Sequence, residues 1–307
     1  MSQRPNERIA YFNGKFLPES EVTVSFRDRG FKYGEAVYDA TRTVKHKPFK
    51  LHEHIERLFC SMRYLEFDAG LTHAEFVDIT LKVLELNEHL LGPDDDVWLT
   101  QRVSPGAQDP FEGASGGPPT VIVECTPIPF RSRATLFRDG VDVRIPSIRR
   151  TPPDAQSPRA KSQNYINFVL ADNEVRSADP NAWTILLDQQ GNLTEGMGSN
   201  IFCVRDGRLL TPKARFVLAG ISRETVIELA RSLGLAADEA DIDLFDAYNA
   251  DECFLSSTSL CMVPVATING RRIGKSTPGP ITQQLTDAYK NLIDLDFVAQ
   301  YLKHLEP

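Results

Sequence analysis

The sequence predicts an α+β fold in two domains. Strand-like and helix-like segments follow one another irregularly in both halves, without the regular alternation of a doubly wound sheet. A Pro-containing connector, Pro127-Ile128-Pro129-Phe130, separates the halves. The chain has 307 residues, 41% of them hydrophobic, which is enough for two cores of ordinary size. The boundaries read as a small N-terminal domain over 1–126, a linker over 127–135 and a larger domain over 136–307.

In the first half, Ile9 to Phe12 and Lys15 to Leu17 read as strands about an Asn13-Gly14 turn, and Ala36 to Val44 reads as another strand. Ile55, Leu58, Phe59, Met62 and Leu65 recur at three- and four-residue steps, which predicts a helix with one buried face. Thr72 to Leu91 predicts a second helix, ended by Gly92-Pro93, before strands at Val97 to Val103 and Thr120 to Cys125. Ser104 to Pro119 and Pro146 to Ser162 are crowded with turn-forming residues. They predict long loops, which in compact domains tend to carry function. The second half predicts a helix over Tyr165 to Ser177, then strands at Trp183 to Leu187, Asn200 to Val204 and Arg208 to Thr211. A helix capped by Ser222 and closed by Gly234 follows, then a strand at Cys253 to Ser256 and a hairpin at Asn269-Gly270.

A net charge of −8 with both signs interleaved argues against nucleic acid or an anionic membrane as partner. A basic pocket for a small anion is still compatible with it. No stretch approaches the roughly 18 apolar residues of a membrane span. Met1 to Ile9 is too polar for a signal core. Cys60, Cys125, Cys203, Cys253 and Cys261 are odd in number, form no C-x-x-C pair and sit in apolar stretches. They read as reduced core residues rather than disulfide partners or metal ligands. A cytoplasmic protein without a bound metal is the expectation.

Several residues carry chemical promise, although each has an ordinary reading when taken singly. Lys161 closes the Pro-rich loop ahead of a helix, where a lysine is usually a solvated charge. Glu195 lies between an apolar strand and two glycines in Thr194-Glu195-Gly196-Met197-Gly198-Ser199-Asn200, where backbone can approach a ligand closely. Alone it would be a turn carboxylate. Gly220-Ile221-Ser222-Arg223 opens a helix whose N–H groups suit a phosphate. Ser256-Ser257-Thr258-Ser259 supplies hydroxyl and N–H donors after a strand. Arg57 projects from the polar face of the first helix.

In this order, these pieces resemble the class IV aminotransferases, the fold-type IV enzymes of pyridoxal 5′-phosphate (PLP). Asp28-Arg29-Gly30-Phe31-Lys32-Tyr33-Gly34-Glu35-Ala36-Val37-Tyr38 is similar to the family's first active-site strand, and His54-Ile55-Glu56-Arg57-Leu58 to its phosphate-arginine helix. The resemblance covers nearly the whole chain. It implies a small N-terminal α/β domain and a larger, β-barrel-like C-terminal domain with helices. It also implies that Lys161 carries PLP as a Schiff base and shuttles the proton. Glu195 would face the pyridine nitrogen, whose protonation makes the ring an electron sink. Arg57, Ile221, Ser222 and Thr258 would hold the phosphate, and Tyr165 would lie near the phenolic oxygen. The partners implied are an amino donor and a 2-oxo acid acceptor, and the assembly a homodimer, with Ser104 to Pro119 reaching across.

The subgroup stays open. Members that act on D-amino acids carry an Arg-x-His carboxylate trap where this chain has Gly106 and Gln108, and a tyrosine where Phe31 stands. The branched-chain group has Tyr-x-Arg where this chain has Trp98 and Thr100, but shares an arginine matching Arg42. Phe31, Tyr38, Arg42, Trp98, Thr258 and Ser259 are therefore the expected substrate contacts, with Arg42 or Arg102 meeting a carboxylate. The expected reaction is transamination of a branched-chain or D-type amino acid, or of an (R)-amine. An aminodeoxychorismate lyase, which uses the same lysine, and a catalytically silent PLP-binding protein are the alternatives.

Overall fold

Residues 7–111 and 117–305 are described by the computed structural model. They divide into two units. One runs to Ile128 and includes Ala160–Asn164, and the other comprises Pro129–Arg159 and the chain from Tyr165 onward.

Six antiparallel strands build the sheet of the first unit, in the order β2-β1-β6-β5-β3-β4. They are β1 (Ile9–Phe12), β2 (Lys15–Pro18), β3 (Val37–Val44), β4 (Lys47–Pro48), β5 (Val97–Ser104) and β6 (Thr120–Pro127). Asn13 and Gly14 both take positive φ, which matches the twist of the tight β1–β2 hairpin. The strand expected over Ala36 to Val44 is β3, and ahead of it the stretch from Asp28, similar to the family's first active-site strand, begins with a short helix, α1 (Arg29–Tyr33). The Asp28 side chain caps it and Gly34, at φ 69°, ends it. Both features halt extended backbone until Val37. Helices α2 (Leu51–Tyr64) and α3 (His73–Asn87) pack beside the sheet. Leu51, Ile55, Leu58 and Met62 form the buried stripe of α2 and join Val37, Leu99 and Val123 in one apolar cluster. A capping box of Thr72 and Glu75 starts α3.

The second unit holds a nine-stranded mixed sheet. Its strands are β7 (Val141–Arg144), β8 (Trp183–Thr184), β9 (Glu195–Gly196), β10 (Ser199–Arg205), β11 (Arg208–Pro212), β12 (Ala237–Ala240), β13 (Glu252–Ser257), β14 (Cys261–Ile268) and β15 (Arg271–Arg272). The main path is β12-β11-β10-β13-β14-β7-β8, with β9 on β10 and β15 on β14. Helices α4 (Phe130–Asp139), α5 (Ile166–Ala178), α6 (Ile221–Ser232), α7 (Leu244–Tyr248), α8 (Pro280–Ile293) and α9 (Phe297–Leu302) complete it. Residues 130–135, read as linker, are the first turns of α4. Gly220, not Ser222, is the N-cap of α6, and Ser222 is buried inside the first turn. Cys60 is exposed rather than buried, while the other four cysteines are core residues. None of the described helices is long and apolar enough to cross a membrane.

Candidate active site

Lys161 sits on a short extended segment that docks onto the start of β3. Tyr38 donates its N–H to the Lys161 carbonyl at 3.0 Å, and Gln163 donates to the Ala36 carbonyl at 2.8 Å. From the other side, the Lys161 N–H reaches the buried Ser61 hydroxyl of α2 at 3.0 Å. These bonds draw Ala160–Asn164 into the first unit, although the sequence assigned Lys161 to 136–307. The Lys161 ammonium lies over the Tyr38 ring, 4.4 Å from its centroid.

One turn before Ser61 on α2 stands Arg57. It is not solvated, as its place on a polar face implied. Its Nε and Nη2 form a two-pronged pair with the Asp39 carboxylate, at 2.8 Å each. The His54 ring meets the same carboxylate at 2.7 Å. Burial alone would raise the Asp39 carboxyl, but Arg57 and His54 outweigh it and hold the group well below the usual carboxylate range. Burial pushes His54 below its ordinary value despite Asp39, and the charges of Arg57 and Lys161 act in the same sense as burial. His54 is therefore neutral near neutrality and donates Nδ1–H to Asp39. Asp39 and His54 were missed in the sequence. The available signal was an acid in the middle of an apolar strand, and a histidine three residues before Arg57.

Tyr38, Ala40 and Arg42 point away from α2 and pair across strands with Arg102, Thr100 and Trp98. Arg42 is nonetheless unsuited to a substrate carboxylate. It is 1% exposed, donates Nε to the Thr43 carbonyl at 2.9 Å and places Nη2 3.3 Å from Asp96. Arg102 is paired with Glu124 at 2.7 Å. Phe31 lies on α1 at 76% exposure. Of the loop expected over Ser104 to Pro119, residues 112–116 lie outside the described residues.

In the second unit, Glu195 is buried at the start of β9. Its Oε1 pairs with Arg150 at 3.1 Å, and its Oε2 accepts the Leu218 N–H at 2.9 Å. Leu218 lies just ahead of α6, so this bond ties Glu195 to the helix carrying Ile221 and Ser222. The N-terminus of α6 has no side-chain cap. The approach to it is tight, since a Cβ on Gly220 would come within 2.3 Å of Asn200 Oδ1. Glu195 faces Asn200 across strands, and Asn200 faces Ser256, so one row spans β9, β10 and β13. Thr258 and Ser259 follow two and three residues beyond Ser256. Ser222 is buried, whereas its neighbour Arg223 turns inward to the Pro212 carbonyl and Glu239. Tyr165 precedes α5 and packs on Phe168.

Among the described residues, the buried hydroxyl of Ser256, in the row of Glu195 and Asn200, has no hydrogen-bond partner. An unmet donor in that row, with the uncapped start of α6 against Asn200, fits a ligand rich in acceptor oxygens, such as a phosphate ester.

Residues 36–268 match the family model described as amino-transferase class IV. A protein of Methanocaldococcus jannaschii assigned as a branched-chain-amino-acid aminotransferase is 36% identical, over 92% of this chain and 95% of its own. A D-alanine aminotransferase of Bacillus licheniformis is 29% identical over 92% and 96%. Among solved structures, the branched-chain amino acid aminotransferase of Escherichia coli superimposes with a TM-score of 0.85 at 27% identity, over 94% and 95%. The branched-chain enzyme of Thermobaculum terrenum, solved in its PLP form, gives 0.81 at 27% identity, over 98% of each chain.

Proposed function

Because the chain belongs to the class IV aminotransferase family, we propose that it uses PLP to exchange amino groups between a branched-chain amino acid and a 2-oxo acid. The observation that carries this reading is the convergence in the first unit of Lys161, pinned by β3 and α2, with the Arg57–Asp39–His54 cluster. When bound, PLP supplies an electron sink that stabilises negative charge at the substrate Cα.

The residues divide the remaining work. Lys161 holds the cofactor and moves a proton at the substrate Cα. Arg57 and the N–H groups of Ile221 and Ser222, with Ser222 and Thr258, bind the phosphate. Arg57 does so as a cation kept in place by Asp39. Glu195 sustains the positive pyridine nitrogen, and Arg150 and Leu218 orient its carboxylate. Tyr165 supports the phenolic side of the ring. Tyr38, Phe31 and Trp98 shape an apolar substrate pocket, and the turn at Thr258 and Ser259 binds the carboxylate. Phe26, Phe31, Tyr33 and Phe111 are large aromatic side chains exposed on the first unit, which supports a homodimer.

The test is a donor screen with both enantiomers of leucine and alanine and with 1-phenylethylamine, using 2-oxoglutarate and pyruvate as acceptors. Leucine turnover coupled to glutamate or alanine formation is expected. A yellow protein that transfers no amino group from any amino acid would refute the proposal.

A further inference from the structure

An α-carboxylate taken out of water needs donors with positive character. The arginines that the sequence nominates are engaged elsewhere: Arg42 with Asp96 and Arg102 with Glu124. Arg150 serves Glu195.

Arg133, on α4, instead meets the Thr258–Ser259 turn directly. Its Nη1 donates to the Ser259 hydroxyl at 2.5 Å. The buried Tyr301 of α9 donates its own hydroxyl to the Ser259 carbonyl at 3.0 Å. The Leu260 N–H reaches Ser257 Oγ at 3.1 Å, so the turn from Ser257 to Leu260 is fixed at three points. A guanidinium has only donors. Ser259 Oγ therefore accepts in this bond and donates through its own proton, which the neighbouring positive charge polarises. Burial pushes the Arg133 pKa down and Tyr301 acts in the opposite sense, but an arginine remains charged at any working pH. Arg133 also lies 5.9 Å from the Trp183 ring centroid. With Trp183 and Met197 it lines a cavity of about 400 Å³, and Met197 is two residues from Glu195.

We propose that Arg133 is the positioning residue that sets this enzyme's affinity for substrate carboxylates, by holding the Ser259 hydroxyl as a polarised donor in the turn that binds them. The inference rests on the transaminase reading above and on the Thr258–Ser259 turn as its carboxylate site. It supplies the positive charge that the missing Arg-x-His and Tyr-x-Arg patterns leave unassigned. Selectivity is thus exerted from a helix preceding the strand β7, in a part of the chain that reads as a connector.

The test uses the PLP-loaded enzyme and two probes of one shape, 4-methylpentanoate and its neutral amide, with binding followed by calorimetry. Wild-type enzyme should prefer the carboxylate. Arg133→Gln should weaken carboxylate binding and raise KM for the 2-oxo acid by about ten- to a hundredfold, the effect of one charge-assisted hydrogen bond. The kcat and the amide affinity should change little. Arg133→Lys should recover much of the preference. Equal effects on both probes, or none, in a variant with wild-type melting and cofactor absorbance would overturn the assignment. Should Arg133→Gln fail to fold, Ser259→Ala decides the matter: a loss confined to the carboxylate supports it, and no such loss refutes it. A wild-type enzyme that transaminates but shows no preference for the carboxylate would sink this inference alone. One that neither transaminates nor binds the carboxylate would sink the transaminase reading with it.

Discussion

Replacing Asp39 by Asn removes the negative charge shared by Arg57 and His54. The Asp39 side chain is 0% exposed and that of Arg57 only 10%, so a nearly buried arginine would lose the carboxylate that meets it with two hydrogen bonds. Removing one partner of such a pair costs about 3–5 kcal/mol. The lower figure applies here, because the Asn carbonyl can still accept one of the two bonds and Arg57 keeps some contact with water. At about 2–4 °C per kcal/mol, a loss of about 3 kcal/mol lowers Tm by roughly 6–12 °C. Arg57 would also lose the geometry that aims it, so PLP affinity should fall by about tenfold or more. Calorimetric melting and absorbance titration with PLP measure the two effects separately. The double variant Asp39→Asn/Arg57→Gln should be less destabilised than the sum of the single variants, because neither charge is then stranded. An Asp39→Asn protein that melts and binds PLP like the wild type would refute the reasoning.

Glu195→Gln should leave the fold intact but slow transamination by about a hundredfold or more, since an amide cannot sustain a pyridinium charge; near-normal kcat would show that Glu195 does not serve the ring. Burial lowers the pKa of His54, and Arg57 and His54 prevail over burial to lower that of Asp39, so both groups bind fewer protons folded than unfolded. Their stabilisation is complete above about pH 6.5, where unfolded His54 is neutral, and is lost as pH falls, through His54 first and Asp39 last. Melting temperatures measured across that range should decline on acidification, and His54→Gln should flatten the upper part of the decline. Arg42→Met should destabilise the β3–β4 region through Asp96 while changing KM for amino acids and neutral amines equally; a selective rise for amino acids would restore Arg42 to the substrate site. Sedimentation at micromolar concentration should give a dimer, and an active monomer would exclude a completed site across subunits.

Periodicity carried most of the fold. The stripe of α2, the start of α3 near Thr72 and the turns at Asn13-Gly14 and Asn269-Gly270 depend on neighbours within a few residues, and all were legible. Motif order also singled out Lys161, Glu195 and Arg57 as candidates for the chemistry. Their settings were not. Arg57 looked solvated because a helical wheel places it on the polar side, but the acid that buries it lies 18 residues earlier on a strand. Arg42 reads as available for substrate, but Asp96, 54 residues away, lies against it. Arg133 gave no signal at all, since its meaning comes from Ser259, 126 residues further on. The sequence by itself determined many of the elements and offered residues whose functional groups suit the chemistry, because hydrophobic patterning, capping and side-chain functionality are local. Only the tertiary structure decided which charges are matched, because a Coulomb partner is chosen by distance in space, and burial then magnifies the consequence of that choice.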